Sequence, residues 1–523
     1  MTRLKIEEKL DNINETLRLM VPEANLLTTL KNHFNMSRDG KIYGVKFPKF
    51  GDVKTATGIK YLANEGLVIE PSTKTVQGTN DYENITLFQH YDCNAHLTED
   101  GELVVDAIRG QEGFETTGAV DVCTITCERY YHYWEDDTYE YYEMSDTWHQ
   151  GFHLAHECLD RNGKERGYAI YAKCVAGDIN GVPYSSFGLV PACAHGGTGA
   201  VSQNVCYSGN ITYFHKKGTY YMSGTMAEVM YINWMFMMKY ATKNIQSIYG
   251  GCTNYQSQYK VSAAEENVSR VIVTNSQASY LVIGSCISIG DVGTNTNYDR
   301  YYWYMHNLAY NVTILEIEDL GDGTSAVYVD SEPFTTTTTT YVTCMHWRSG
   351  FSEDILGDDG IPIDGAATNS QKYPCVINGI ELFVGGYEVI GNTIFDINSD
   401  NTYSIYQIDD ASQLSSDVST IKANYDLSDA KFSSYATNSW AYVTDIDYDF
   451  DTGTYGEHAI SGGNSSNCYS DGIYLSTATS GQRELLVRGG LSNGDNAGLF
   501  CVHGSSSVAS ALWFIVARPS LNG

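Results

Sequence analysis

The chain has 523 residues, enough for two to four structural units, and 42% of them are apolar, enough for a large buried core. Its 32 Lys and Arg stand against 63 Asp and Glu, a formal charge of −31 that argues against gripping phosphate backbones and repels anionic membranes. With 49 Gly, 9 Pro and 41 Tyr, the composition suits many short strands and turns, so a mainly β (α+β) protein with few helices is expected.

At the N-terminus, Met1 to Lys9 is charged and no apolar h-region follows, which predicts no cleaved secretion signal. Leu10, Ile13, Leu17 and Met20 recur at 3-4-3 spacing until Pro22, predicting an amphipathic helix over 1–22 that either pairs in a coiled coil or packs on its own domain. A β-rich unit is expected over 23–189, with strands around Thr86-Leu87-Phe88, Leu103-Val104-Val105 and Ala169-Ile170-Tyr171-Ala172. Its most unusual piece runs from Arg129 through Tyr130, His132 and Trp134 to Tyr139, Tyr141 and Tyr142, and predicts a hairpin with aromatic residues on both faces. Such a hairpin serves as a ligand platform or subunit interface, or simply packs on neighbouring strands.

Thr225-Met226-Ala227-Glu228 is a capping-box sequence opening a helix expected to run to about Ser247 and to stop at Gly250-Gly251. Apolar residues cover most of its sides, which predicts a buried core helix rather than a Met-lined groove. Its apolar run, Val229 to Met238, is interrupted by Asn233 and is too short to span a bilayer. Strand patterns over 268–274, 280–283, 311–317 and 326–330, closed by the threonine run 335–340, predict an inserted β domain over 257–340. The 13 Cys include no C-x-x-C pair, so neither a zinc site nor a disulfide framework is predicted. Asp445, Asp447, Asp449 and Asp451 alternate like calcium ligands. Counted from Asp447, however, Thr452 and His458 occupy the positions where an EF-hand has Gly and Glu, so a solvated acidic turn competes with a structural calcium site. No G-x-S-x-G, H-E-x-x-H or Walker loop is present, and no other cofactor is implied.

Near the C-terminus a regular frame surrounds an irregular filling. The frame is Arg488-Gly489-Gly490, then Gly494 and Ala497-Gly498-Leu499-Phe500, then Trp513, Ile515 and Ala517-Arg518-Pro519. The filling, which follows no amphipathic period, is Leu491, Ser492, Asp495, Asn496, Cys501, His503, Ser505, Ser506, Ser507, Leu512, Phe514 and Val516. The arrangement resembles the variable region of proteins diversified by retroelements and displayed on a C-type-lectin fold related to formylglycine-generating enzymes. One departure is Leu491-Ser492, where many relatives have a Trp.

The resemblance implies a lectin-like ligand-binding domain over 190–256 and 341–523, interrupted by the insert. In it the filling residues would form a diversified surface, and Arg488, Gly489, Gly490, Gly498, Trp513, Ile515 and Arg518 would form the scaffold. The family frame would point Trp513 and Ile515 inward and Leu512, Phe514 and Val516 outward, whereas the run Leu512 to Val516, apolar on both faces, by itself reads as a fully buried strand. It further implies a non-enzymatic receptor-binding protein at a phage tail-fibre tip in the virion. Its partners would be a host cell-surface receptor, protein or glycan, and other tail proteins bound through the N-terminus. It would form a homotrimer and engage neither nucleic acid nor the membrane interior. The alternatives are a sulfatase-modifying-type enzyme or glycan hydrolase, or a cellular surface adhesin.

Overall fold

The computed structural model describes residues 25–49, 56–195, 203–400, 402–460, 463–476 and 481–522. The helix expected over 1–22 lies outside them. The protein is mainly β, with 36% strand, 14% helix and five α-helices among the described residues.

The first helix among the described residues, Leu26–Ser37, was not expected from the sequence. Asn25 caps it by accepting the Leu27 N–H at 2.8 Å, and Leu30 and Phe34, four apart, bury its inner face. Two antiparallel sheets follow. One has five strands in the order Ile59–Leu62, Tyr43–Pro48, Tyr139–Ser145, Tyr130–Glu135, His153–Leu154, and contains the aromatic hairpin. The other has four, in the order Leu103–Ile108, His90–Leu97, Val122–Cys127, Tyr168–Ala172. Thr86–Phe88 is a buried 3-10 turn rather than a strand.

The boundary expected at 189 is not a break in packing. Tyr131 and Tyr142, on the inner face of the hairpin, lie 4.7 and 5.0 Å from the Trp234 ring, and Tyr448 and Phe450 close the same cluster. A single hydrophobic core therefore runs from Tyr43 to Val502. Trp234 belongs to the helix Met226–Tyr240, whose predicted capping box is present and whose residues Met226 to Lys239 are all buried. The helix stops earlier than expected. Ala241 takes the left-handed conformation at φ 50°, its N–H bonds the Met237 carbonyl at 2.9 Å, and its own carbonyl accepts the Gly58 N–H at 2.7 Å. Among the described residues no helix is long and apolar enough to cross a membrane.

Residues 258–345 form a six-stranded sheet in the order Gln258–Lys260, Thr340–Met345, Cys286–Asp291, Ala309–Asp319, Thr324–Val329, Arg270–Thr274. The strand expected over 280–283 is absent, because Thr274 and Gln277 build a capping box that starts a short helix, Asn275–Ala278. The threonine run is a turn before the strand: the hydroxyls of Thr337 and Thr339 each donate to Asp291 at 2.6 Å. The core of this sheet also takes in Val384, Leu491, Trp513 and Val516 from the C-terminal part.

The ten-stranded sheet is built from the C-terminal part. From one edge inward its strands are Trp440–Tyr442, Gly472–Leu475, Val502–Gly504, Gln482–Val487 and Tyr387–Ile397, adjacent in that order. The last strands of the chain tie back to it and to the long helix: Ile515–Val516 runs parallel to Tyr387 and Glu388, and Pro519–Ser520 pairs with Met222–Ser223.

Candidate ligand-binding surface

The frame residues fold onto one another. Arg488 is buried at φ 78°, and its guanidinium donates to the Asn233 side chain at 2.9 Å. Its N–H bonds the Cys501 carbonyl and its carbonyl accepts the Gly498 N–H, which joins the two glycine-containing stretches back to back. Gly489 and Gly498 have no room for a side chain: a Cβ would lie 2.6 Å from that of Ala497 and 1.9 Å from the Asp471 carboxylate, respectively. Asp471 is committed there because it accepts the Phe500 N–H at 2.9 Å. Asn493 closes the loop, accepting the Gly490 N–H and donating to the Tyr387 hydroxyl, both at 2.7 Å. Trp513 is buried between the Arg300 guanidinium, 4.8 Å from its ring, and His346.

The filling residues divide into two sets. Leu491, Cys501 and Val516 are at most 1% exposed and belong to the cores, which corrects their assignment to a contact surface. The cause lies in Gly385-Gly386. A Cβ on Gly385 would meet Leu491 Cδ2 at 2.8 Å and one on Gly386 would meet Val516 Cγ1 at 3.0 Å, so each absent side chain leaves a slot that a filling residue enters. Ile515 and Val516, both fully buried, fit the all-buried strand pattern, and Trp513-Phe514 is a turn leading into that strand. Leu512 and Phe514 are half-buried.

The second set reaches the surface. Ser492, Asp495 and Ser507 are exposed, and Asn496, His503, Ser505 and Ser506 are half-buried. Asp495 accepts from Gln371 at 2.9 Å, and the Ser505 hydroxyl lies 3.3 Å from His503 Nε2. His503 stacks on Tyr474, with centroids 4.9 Å apart and planes 11° apart, and Trp440 and Tyr387 approach it at 6.0 and 5.5 Å. Phe514 extends the group through Tyr387 at 6.1 Å. Strand register produces this row, since Trp440 pairs with Tyr474 and Tyr474 with His503 across three adjacent strands. Burial holds the His503 imidazole down at about 4, so it is neutral near pH 7.

Trp440, Tyr474 and Tyr387 were missed from the sequence. The available signal was the two-residue alternation of buried Ile473 and Leu475 around half-buried Tyr474, and of half-buried Trp440 and Tyr442 around buried Ala441.

The acidic run follows another pattern. Asp445 to Asp449 is a strand paired with Thr454–Ala459. Asp447 bonds His458 at 2.8 Å, while Asp449 accepts from the N–H groups of Asp429 and Asp451 at 2.9 and 3.1 Å. Among the described residues no three His, Cys, Asp or Glu side chains gather as a metal site. All 13 cysteines are unpaired. Burial raises the Cys501 thiol well above its ordinary range. No protein-family model matches the chain, and no curated protein matches it.

Proposed function

We propose that this chain is a non-enzymatic receptor-binding protein of the phage tail-fibre type. Its ligand surface is the row Trp440, Tyr474 and His503, with Phe514, Leu512 and Asn496 beside it. The observation that carries the reading is the stack of His503 on Tyr474: a residue of the irregular filling is seated at 4.9 Å on a ring supplied by a strand outside it. Half-buried aromatic side chains with polar rims are the usual anchors of interfaces. Around this row, Ser492, Asp495, Asn496, Ser505, Ser506 and Ser507 occupy surface positions where exchange costs the fold little.

The resemblance to retroelement-diversified proteins supports the same reading, with a buried frame of Gly and Arg holding exchangeable positions. A thiol kept protonated by burial at Cys501 gives no support to the alternative of a sulfatase-modifying-type enzyme. The fibre context adds a homotrimer, in which symmetric presentation raises avidity, with attachment and oligomerisation through the N-terminal helix and the β-rich unit over 23–189. Light scattering on the full chain tests the trimer, and a monomer at micromolar concentration removes it. The functional test is binding of the purified chain to a panel of bacterial surface extracts. Loss of binding on His503→Ala and Phe514→Ala, with the fold retained, is expected; unchanged binding for both would refute the assignment of the surface.

A further inference from the structure

Four lysines are buried in ion pairs with carboxylates: Lys173 with Asp92, Lys217 with Asp121, Lys239 with Asp359 and Lys243 with Glu140. Lys239 alone among the four also reaches a side-chain amide. Its Nζ lies 2.6 Å from Asp359 Oδ2 and 2.8 Å from Asn378 Oδ1, and all three residues are at most 2% exposed.

Three separate stretches of chain bring these groups together. Lys239 stands in the last turn of the helix Met226–Tyr240, and Asn378 begins the two-residue turn between the paired strands Cys375–Ile377 and Ile380–Leu382. Asn378 and Gly379 have φ 47° and 78°, the two left-handed conformations that such a turn requires and that Asn-Gly adopts readily. Turns ordinarily face water. This one is buried and carries its amide to a lysine. Asp359 is placed by its neighbour Gly360, whose backbone exchanges hydrogen bonds with Val376 of the same hairpin at 2.8 and 3.0 Å. Asp359 Oδ1 accepts the Asn378 backbone N–H at 3.2 Å. On the far side of the amide, Asn378 Nδ2 donates to the Tyr231 hydroxyl at 2.6 Å, and the Tyr231 ring is held by its stack on Tyr171, 4.3 Å away. The amide is therefore fixed at both ends, its oxygen toward an amine and its nitrogen toward a hydroxyl.

We infer that Lys239 and Asn378 join in an intramolecular isopeptide bond, with Asp359 carrying the protons. A carbonyl bond of about 1.2 Å puts Asn378 Cγ no further than about 4 Å from Nζ, and fixing the two in a dry interior supplies the proximity that amide exchange lacks in water. Nζ gives one proton to Asp359 Oδ2, and its freed lone pair forms the new bond to Cγ. The Cγ–Nδ2 bond breaks with its electron pair on Nδ2. A second proton from Nζ, passed through the Asp359 carboxyl, completes Nδ2 as ammonia, which departs and takes up the proton left on Asp359. No oxidant, reductant or further reactant is consumed. The bond fastens the buried helix to a hairpin 139 residues further along the chain. All 13 cysteines are unpaired, so the tie replaces what a disulfide would do and, unlike one, withstands reducing conditions.

The test is mass spectrometry of the full chain, reduced and denatured. The intact mass should fall below the sequence value by one ammonia, and proteolysis should release a branched peptide joining the segment of Lys239 to that of Asn378. An intact mass equal to the sequence value overturns the inference. Asn378-Gly379 could also lose ammonia by closing a ring on its own backbone. In that case the peptides would be linear and the loss would persist in Lys239→Met, which likewise overturns the inference. Lys239→Met is expected instead to restore the full sequence mass, and Asp359→Asn to leave Lys239 and Asn378 unjoined; a full yield of branched peptide from Asp359→Asn would refute the role of Asp359. The mass and peptides of the unaltered chain decide the bond whether or not either variant folds.

Discussion

Arg518 and Glu388 form a two-pronged ion pair inside the protein, with Nε and Nη2 each 3.1 Å from a carboxylate oxygen. Arg518 Nη1 also donates to the Ala172 carbonyl at 2.9 Å, and Nη2 donates to that of Glu381, so one guanidinium holds together three stretches far apart in sequence. Each hydrogen bond uses the planar fork, which a lysine cannot reproduce. Arg518→Met strands the Glu388 carboxylate and should cost about 3–5 kcal/mol. Arg518→Lys should recover only part of that loss. Urea unfolding measures both, and equal stability of the Lys variant and the parent would show that charge alone suffices.

The filling segment should respond to substitution in two classes. Ser492→Asn and Ser507→Asn change exposed side chains and should stay within about 0.5 kcal/mol of the parent. Leu491→Ala removes a side chain seated against Gly385 and should cost about 2–5 kcal/mol. Gly385→Ala should be destabilising for two reasons, the positive φ of 111° and the 2.8 Å approach to Leu491. The double variant separates them, since shortening Leu491 relieves the contact and leaves the backbone strain. A coupling of about 0.5 kcal/mol or more is expected. Strict additivity in denaturant melts would mean that the slot does not set the packing of Leu491.

These same residues mark how far the sequence could be read. Local patterns were legible: the capping box at Thr225, the aromatic hairpin and the β content follow from short-range chemistry. The burial of Leu491 and Val516 was not, because it depends on two glycines more than a hundred residues away that carry no side chain to announce a slot. The packing across residue 189 was hidden for a related reason. Tyr131 and Tyr142 alternate as a half-buried strand should, and nothing in that period says that the ring they meet is Trp234. Similarly, Trp440, Tyr474 and His503 each show a period of two, while their alignment into one row comes from strand order.

Buried carboxyls set an acid-favouring pH dependence. Desolvation raises Glu484 from 4.5 to about 8, opposed only by the Tyr207 N–H that it accepts at 2.8 Å, and desolvation likewise raises Glu228 to about 7. The folded state therefore keeps protons that the unfolded state releases, and their contribution to stability falls as pH rises from about 4.5 towards 8. Each tenfold difference in proton affinity is worth about 1.4 kcal/mol. Glu484→Gln preserves an acceptor for Tyr207 and cannot ionise, so its stability relative to the parent should increase across that window. Thermal melts at pH 5 and pH 8 provide the comparison. An equal effect of the substitution at both pH values would show that Glu484 does not titrate with folding.

Affinity for the proposed receptor should concentrate in the aromatic row. Tyr474 and Phe514 offer large, half-buried rings that desolvate fully under a partner, whereas the serines of the filling offer small polar contacts at the rim. Tyr474→Ala and Phe514→Ala should each weaken binding by about 2 kcal/mol or more, and Ser506→Ala should be nearly silent. His503→Asn removes the ring stacked on Tyr474 and should fall between them. Because burial holds His503 neutral down to about pH 4, binding should be flat between pH 5 and pH 8 unless the ligand itself titrates. Surface plasmon resonance on a responsive surface extract would rank the four variants. A silent Tyr474→Ala beside a damaging Ser506→Ala would invert the order and place recognition on the serine rim.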